Sequence, residues 1–155
     1  MLAGFSFPHM SRNESLIWDR FLHSGHLPSG VIYYDARVGH PIPQTLDMSD
    51  WVSGVVNATS RKRLDVVIRN PRAWYIYEVK VRAGLSAVGQ GLGYEYLFSE
   101  SIAGDLHVIV VIVCDYVSRD VDTLCAHVGL GLWSGQWRPN PLWIPPALSD
   151  RFGLA

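Results

Sequence analysis

Residues 63–81 limit the fold more than any other stretch of the chain. Two runs rich in β-branched and aromatic residues, 63–69 (RLDVVIR) and 74–81 (WYIYEVKV), flank Asn70-Pro71-Arg72-Ala73. Asparagine first and proline second suit a tight type I turn, so an antiparallel hairpin is expected. With the turn centred between Pro71 and Arg72, Asp65 faces Glu78, Val67 faces Ile76 and Arg63 faces Lys80. Strand side chains alternate, so Asp65, Glu78 and Lys80 share one face. Leu64, Val66, Ile68, Tyr75, Tyr77 and Val79 fall on the other, which reads as the core side.

The flanking segments extend this hairpin into an α/β order. Residues 13–24 carry an apolar stripe (Leu16, Ile17, Phe21, with Trp18 beside it), Ser11 as N-cap, Glu14 in the first turn and Gly25 as a stop. Residues 31–38 (VIYYDARV) read as a strand, and residues 85–98 as a helix despite Gly89, Gly91 and Gly93. The near-continuous apolar run at 106–114 reads as a strand covered on both faces. A helix at 120–128 and a short strand near 132–137 follow. The expectation is a single domain over residues 1–155, with a mixed central β-sheet flanked by helices. It carries an irregular insertion at about 39–62 and an extended, proline-rich tail at about 138–155.

Composition excludes several classes. Hydrophobic residues at 48% and charged residues at 17% are those of a folded domain rather than a disordered or coiled-coil chain. The 13 basic residues nearly balance 14 acidic ones, so any nucleic-acid affinity must be local. Seven of those 13 lie between 61 and 82: Arg61, Lys62, Arg63, Arg69, Arg72, Lys80 and Arg82. All but Lys80 are taken as a candidate phosphate-binding set, the competing reading being a strand edge protected by charge. The N-terminus lacks a basic start followed by a long apolar run, and no stretch reaches the length of a bilayer span. A soluble, cytoplasmic protein with no membrane partner is therefore expected. Cys114 and Cys125 read as reduced apolar packers.

Two carboxylates directly opposite each other on a sheet repel, and something must offset that repulsion. A divalent cation would do so, and Mg²⁺ takes one or two carboxylates together with phosphate oxygens. Lys80, two residues from Glu78, would then reach a phosphate oxygen or hold a water. The plainer alternative makes Glu78 and Lys80 surface residues and pairs Asp65 with Arg63 or Lys80.

Asp65, then Glu78-Val79-Lys80, then Gln90-Gly91-Leu92-Gly93-Tyr94 resembles the PD-(D/E)XK nuclease superfamily, and the Gln-x-x-x-Tyr run its RecB-like branch. The resemblance covers residues 13–114 and implies a restriction-endonuclease-like core of αβββαβ order. It further implies metal-dependent hydrolysis of DNA phosphodiester bonds, with Mg²⁺ as cofactor and Mn²⁺ able to substitute. Asp65, Glu78 and the Val79 carbonyl would be metal ligands, Glu14 a helper, and Lys80 the catalytic lysine. Gln90 and Tyr94, one helical turn apart, would orient the site or contact nucleic-acid backbone. Leu64 stands where the family name has proline, Asp19 competes with Glu14, and the facing of Asp35 is open. Branched or single-stranded DNA are the candidate substrates. A homodimer or a larger nucleic-acid-processing complex would widen the footprint of so small a core, and phage or mobile-element origin would suit it. An inert nuclease-fold binding or assembly module, and an RNA endonuclease, are the competing functions.

The remaining motifs favour ordinary structure. The alternate glycines at 89, 91 and 93 read as close packing rather than a dinucleotide fingerprint. His23 and His26 lack partners for zinc. Trp18 and Trp74 are expected to pack. Trp51, Trp133, Trp137 and Trp143 would also serve base stacking or an interface, with packing preferred.

Overall fold

The computed structural model describes residues 6–40 and 61–135, and the backbone of 142–143. The expected insertion and tail, with Trp51 and Trp137, fall largely or wholly outside these residues. The elements are α1 (Arg12–Leu22), β1 (Val31–Val38), β2 (Lys62–Arg69), β3 (Ala73–Ala83), α2 (Leu85–Phe98), β4 (His107–Val117), α3 (Arg119–Val128), β5 (Gly131–Ser134) and β6 (Leu142–Trp143). They build an α/β fold around one mixed open sheet, with strands adjacent in chain order from β1 to β6. The β1–β2, β2–β3 and β5–β6 pairs are antiparallel, while β3–β4 and β4–β5 are parallel. Helices α2 and α3 serve as the two crossovers that parallel pairing requires.

Local chemistry accounts for the elements. Ser11 caps α1 by accepting from the Glu14 N–H, and the Glu14 carboxylate accepts from the Ser11 N–H in return, a reciprocal capping box. The helix ends at Leu22, three residues before Gly25, which sits at φ 78°. The β2–β3 turn closes as its sequence predicts: the Asn70 side-chain oxygen accepts from the N–H groups of Arg72 and Ala73 at 2.9 and 2.8 Å. Register follows, with Val67 paired to Ile76 and Arg69 to Trp74. Strand β4 runs on to Val117, past the expected end at 114. A short π-helical turn, Ser99–Ala103, extends α2 before Gly104 redirects the chain.

The sheet is buried on both sides, which corrects the one-sided reading of the hairpin. Trp18, Phe21, Tyr77 and Trp133 pack aromatic on aromatic beneath α1, together with Val66, Ile68, Tyr75 and Val79. Val67, Ile76, Ile112 and Leu132 pack on the opposite side against α2 and α3, with both thiols buried there. Leu64 departs from strict alternation. It lies with Val67 in the α2 layer, whereas Val66 lies in the α1 layer. The same switch occurs across the ladder in β1, where Tyr34 packs toward α1 while Ala36 and Val38 pack toward α2. Between them stands Asp35 at φ 55°, a left-handed backbone that re-aims everything after it.

Candidate active site

The site forms where β2 and β3 part. Among the described residues their ladder runs from Arg69–Trp74 to Val66–Tyr77 and stops. Asp65 and Glu78 come next in register, just past that stop. Instead of a backbone bond across the gap, the Asp65 side chain accepts the Val79 N–H at 2.8 Å. The N–H and C=O of one strand residue point to the same edge, so the Val79 carbonyl also faces the gap. On its other edge β3 is held by β4 over ten paired positions, Glu78 against Ile112 and Lys80 against Cys114 among them.

Glu78 is no surface residue. It is 2% exposed, and its Oε1 takes the Lys80 ammonium at 2.6 Å, while Oε2 is buried with no hydrogen-bond partner among the described residues. A buried carboxylate oxygen left bare is costly. Burial, and next the charge of Asp65, push the Glu78 carboxyl up to about 7, and the single ammonium only partly opposes them. Burial is also the first cause of the rise at Asp65, where the Val79 N–H and Lys80 pull the other way. Desolvation is the largest single influence on Lys80 and lowers it, but the bond to Glu78 and the charges of Glu78, Asp65 and Glu14 together leave it raised.

Helix α2 places Gln90 and Tyr94 alongside. The Gln90 side-chain amide donates to the Tyr94 hydroxyl at 3.2 Å, and Tyr94 is buried close enough to Glu78 to feel its charge. Glu14 also acts electrostatically on Asp65, Glu78 and Lys80, although its carboxylate is engaged in the capping box. Asp65, Glu78, Val79, Lys80, Gln90 and Tyr94 thus converge, with Glu14 at their margin. Asp19 lies 3.7 Å from His23, turned to another task.

Sequence reasoning left Asp35 open and missed His9. The β1 register sets Asp35 across from Asp65, so acids occupy one level on three adjacent strands. The carboxylate of Asp35 is taken by Arg63 at 2.6 Å and by His9 at 3.1 Å. His9, like Asp35, has a left-handed backbone, at φ 61°. Only the position of Asp35 within its strand signalled this; no periodicity marks His9.

The basic set divides in two. Arg61, Lys62, Arg63, Lys80 and Arg82 lie toward the acidic end of the hairpin, with Arg82 over the Tyr116 ring. Arg69, stacked on Trp74, and Arg72 lie at the turn, six residues of extended chain or about 20 Å away. The glycines divide as well. A methyl group on Gly91 would meet Leu130 at 3.0 Å, which is close packing as expected. Among the described residues, Gly89 and Gly93 have nothing within 4 Å of such a group. Trp18 and Trp133 are buried, and Trp74 packs edge-on against Phe98.

Among the described residues, no group of three or more His, Cys, Asp or Glu side chains is gathered to hold a metal unaided. The donor set nevertheless fits Mg²⁺. This ion needs only one or two carboxylates and fills its other positions with water and substrate oxygens. The bare Oε2 of Glu78 and the gap-facing carbonyl of Val79 are such donors. No helix of the described residues is long and apolar enough to cross a membrane. Comparison with protein-family models, with curated proteins and with solved structures finds no match to this chain.

Proposed function

We propose that this protein is a metal-dependent nuclease with a restriction-endonuclease-like core, hydrolysing DNA phosphodiester bonds. One observation carries the reading: a fully buried glutamate, one oxygen on a lysine and the other bare, beside an aspartate anchored where two strands separate.

Asp65, Glu78 and the Val79 carbonyl would hold Mg²⁺ or Mn²⁺, with Glu14 steadying its outer waters. Such an ion supplies positive charge to the phosphoryl oxygens and lowers the pKa of a bound water. Lys80 positions the attacking water and donates to a phosphate oxygen, its ammonium kept charged by Glu78. The water oxygen attacks phosphorus and a phosphorus–oxygen ester bond breaks. One product end keeps the phosphate, and the other leaves as a hydroxyl after taking up a proton. Gln90 and Tyr94 hold the wall of the site through their mutual hydrogen bond.

The absence of a third gathered acid among the described residues favours the competing reading, an inert nucleic-acid-binding module. Labelled single-stranded, duplex and branched DNA, with matched RNA, incubated with Mg²⁺, Mn²⁺ or EDTA separate the two. Cleavage by the wild type that chelation, Glu78→Ala or Lys80→Ala each lower by about 10²-fold or more supports the nuclease. Cleavage that survives both chelation and Glu78→Ala overturns it, and binding without cleavage selects the inert module. Preference for RNA would redirect the substrate alone.

A further inference from the structure

The turn ahead of α1 carries a histidine where its backbone calls for glycine. Phe7-Pro8-His9-Met10 closes with the Met10 N–H on the Phe7 carbonyl at 3.2 Å. Proline second and a positive φ third define a type II turn, which favours glycine or asparagine in that third place. His9 occupies it at φ 61°. Asp35 is the other non-glycine residue with a positive φ among those described. The two meet side chain to side chain, His9 Nε2 lying 3.1 Å from Asp35 Oδ2. Backbone outliers of this kind gather at functional sites, where their surroundings hold them in place. Here Phe7 stacks on Tyr34 with ring centroids 5.4 Å apart, its N–H bonds the Ser15 hydroxyl at 3.2 Å, and Met10 is buried. From β2, Arg63 fixes the other oxygen of Asp35 at 2.6 Å.

We infer that His9 is the general acid of the proposed reaction, passing its Nδ1 proton to the leaving oxygen while Asp35 orients and stabilises the imidazolium. This rests on the nuclease reading above, in which the leaving hydroxyl still lacks a proton donor. A carboxylate only accepts, so the nitrogen facing Asp35 carries hydrogen and Nδ1 is left to meet a substrate. The His9 side chain is 53% exposed, open to a ligand rather than sealed in the core. Asp35 stands across the β1–β2 ladder from Asp65, and Asp65 feels its charge. Opposed side chains lie about 5 Å apart at Cβ, which brings the imidazole to within about 10 Å of Asp65. His9 thus approaches from the β1 flank of Asp65 and Lys80 from the β3 flank. An in-line displacement needs that division, with one group serving the leaving oxygen and another the attacking water. As the phosphorus–oxygen bond breaks, its electron pair stays on the leaving oxygen, which takes the Nδ1 proton and departs as a hydroxyl. His9 is left neutral with its Nε2–H on Asp35. The proton shed by the attacking water, passed through solvent, restores it.

Sulfur as the leaving atom separates proton donation from structural support, because a thiolate departs without a proton. With the cut position mapped on the wild type, the same DNA is made with sulfur in place of the leaving oxygen, and both esters are assayed in Mn²⁺. His9→Gly removes the imidazole and suits the left-handed backbone, and His9→Asn keeps a polar side chain there. Each should slow cleavage of the oxygen ester by about 10²-fold or more and leave the sulfur ester within about threefold of wild type. Free imidazole should restore oxygen-ester cleavage by His9→Gly about tenfold. Asp35→Asn keeps an oxygen on Nε2 without the charge, and should slow the oxygen ester about tenfold while sparing the sulfur ester. Equal losses on the two esters overturn the inference and make His9 a support for the turn. Unchanged oxygen-ester cleavage by His9→Gly overturns it as well. Both of those results leave the nuclease reading standing, whereas a wild type that cuts no DNA in Mg²⁺ or Mn²⁺ removes that reading and its general acid together.

Discussion

The proposed chemistry centres on Glu78, and the ionisation of this residue is tied to folding. In the folded chain burial and Asp65 hold its carboxyl near 7, against 4.5 for an unperturbed glutamate. Between those values the folded state keeps a proton that the unfolded state has released. The resulting stability is complete below about pH 4.5 and is lost as pH rises through 7, an effect on the order of 3 kcal/mol at most. Thermal melts in EDTA should therefore show a higher Tm at pH 5 than at pH 8, and Glu78→Gln should flatten that difference. Mg²⁺ added at pH 8 should recover Tm in the wild type and do nothing for Glu78→Gln. A wild-type melt independent of pH across this range would contradict the assignment. The sequence made this residue legible for a specific reason: Asn70 and Pro71 fix the turn, the turn fixes the register, and the register brings Glu78 level with Asp65. Burial was not legible there, because the hairpin alone reveals neither that α2 covers this face nor that Oε2 is bare.

At the scale of elements, the site depends on strands that separate at the right level. Three antiparallel strands in unbroken register would satisfy every backbone group and leave no donor for a substrate or ion. The left-handed backbone of Asp35 interrupts that regularity, switching β1 from one packing layer to the other between Tyr34 and Ala36. Leu64 makes the same change on β2, directly across from Ala36. The ion pair with Arg63 and the contact with His9 hold Asp35 in this conformation. Asparagine tolerates the left-handed region and alanine does not. Asp35→Ala should consequently cost about 1 kcal/mol more stability than Asp35→Asn in urea denaturation, while both lose the Arg63 pair. Equal losses would show that the charge, not the backbone, is what Asp35 contributes. Alternation in the sequence could not disclose this switch: a strict period of two places Leu64 with Val66, and only a residue that leaves the extended region can undo it.

Across the whole molecule, a formal net charge of −1 means that the proposed nucleic-acid affinity would depend on where the basic residues sit, not on how many there are. The element order was legible because each segment carries its own local signal: the capping box of α1, the hairpin turn, and the doubly buried β4. The distribution of charge was not, because seven basic residues close in sequence lie at opposite ends of a strand once it is extended. Arg61 and Lys62 stand at the acidic end, while Arg69 and Arg72 stand about 20 Å away at the turn. A single strand lodged at the proposed active site would meet the first pair and miss the second. Removing one phosphate-binding side chain should lower the slope of log Kd against log salt by about 0.7 for single-stranded DNA. Arg61→Ala and Lys62→Ala are thus expected to reduce that slope, and Arg69→Ala with Arg72→Ala to leave it unchanged, in anisotropy titrations over a salt series. If the turn-end pair proved as salt-sensitive as the acidic-end pair, the substrate would have to span both ends of the hairpin. A duplex lying across the sheet edge would then replace the single strand as the proposed substrate form.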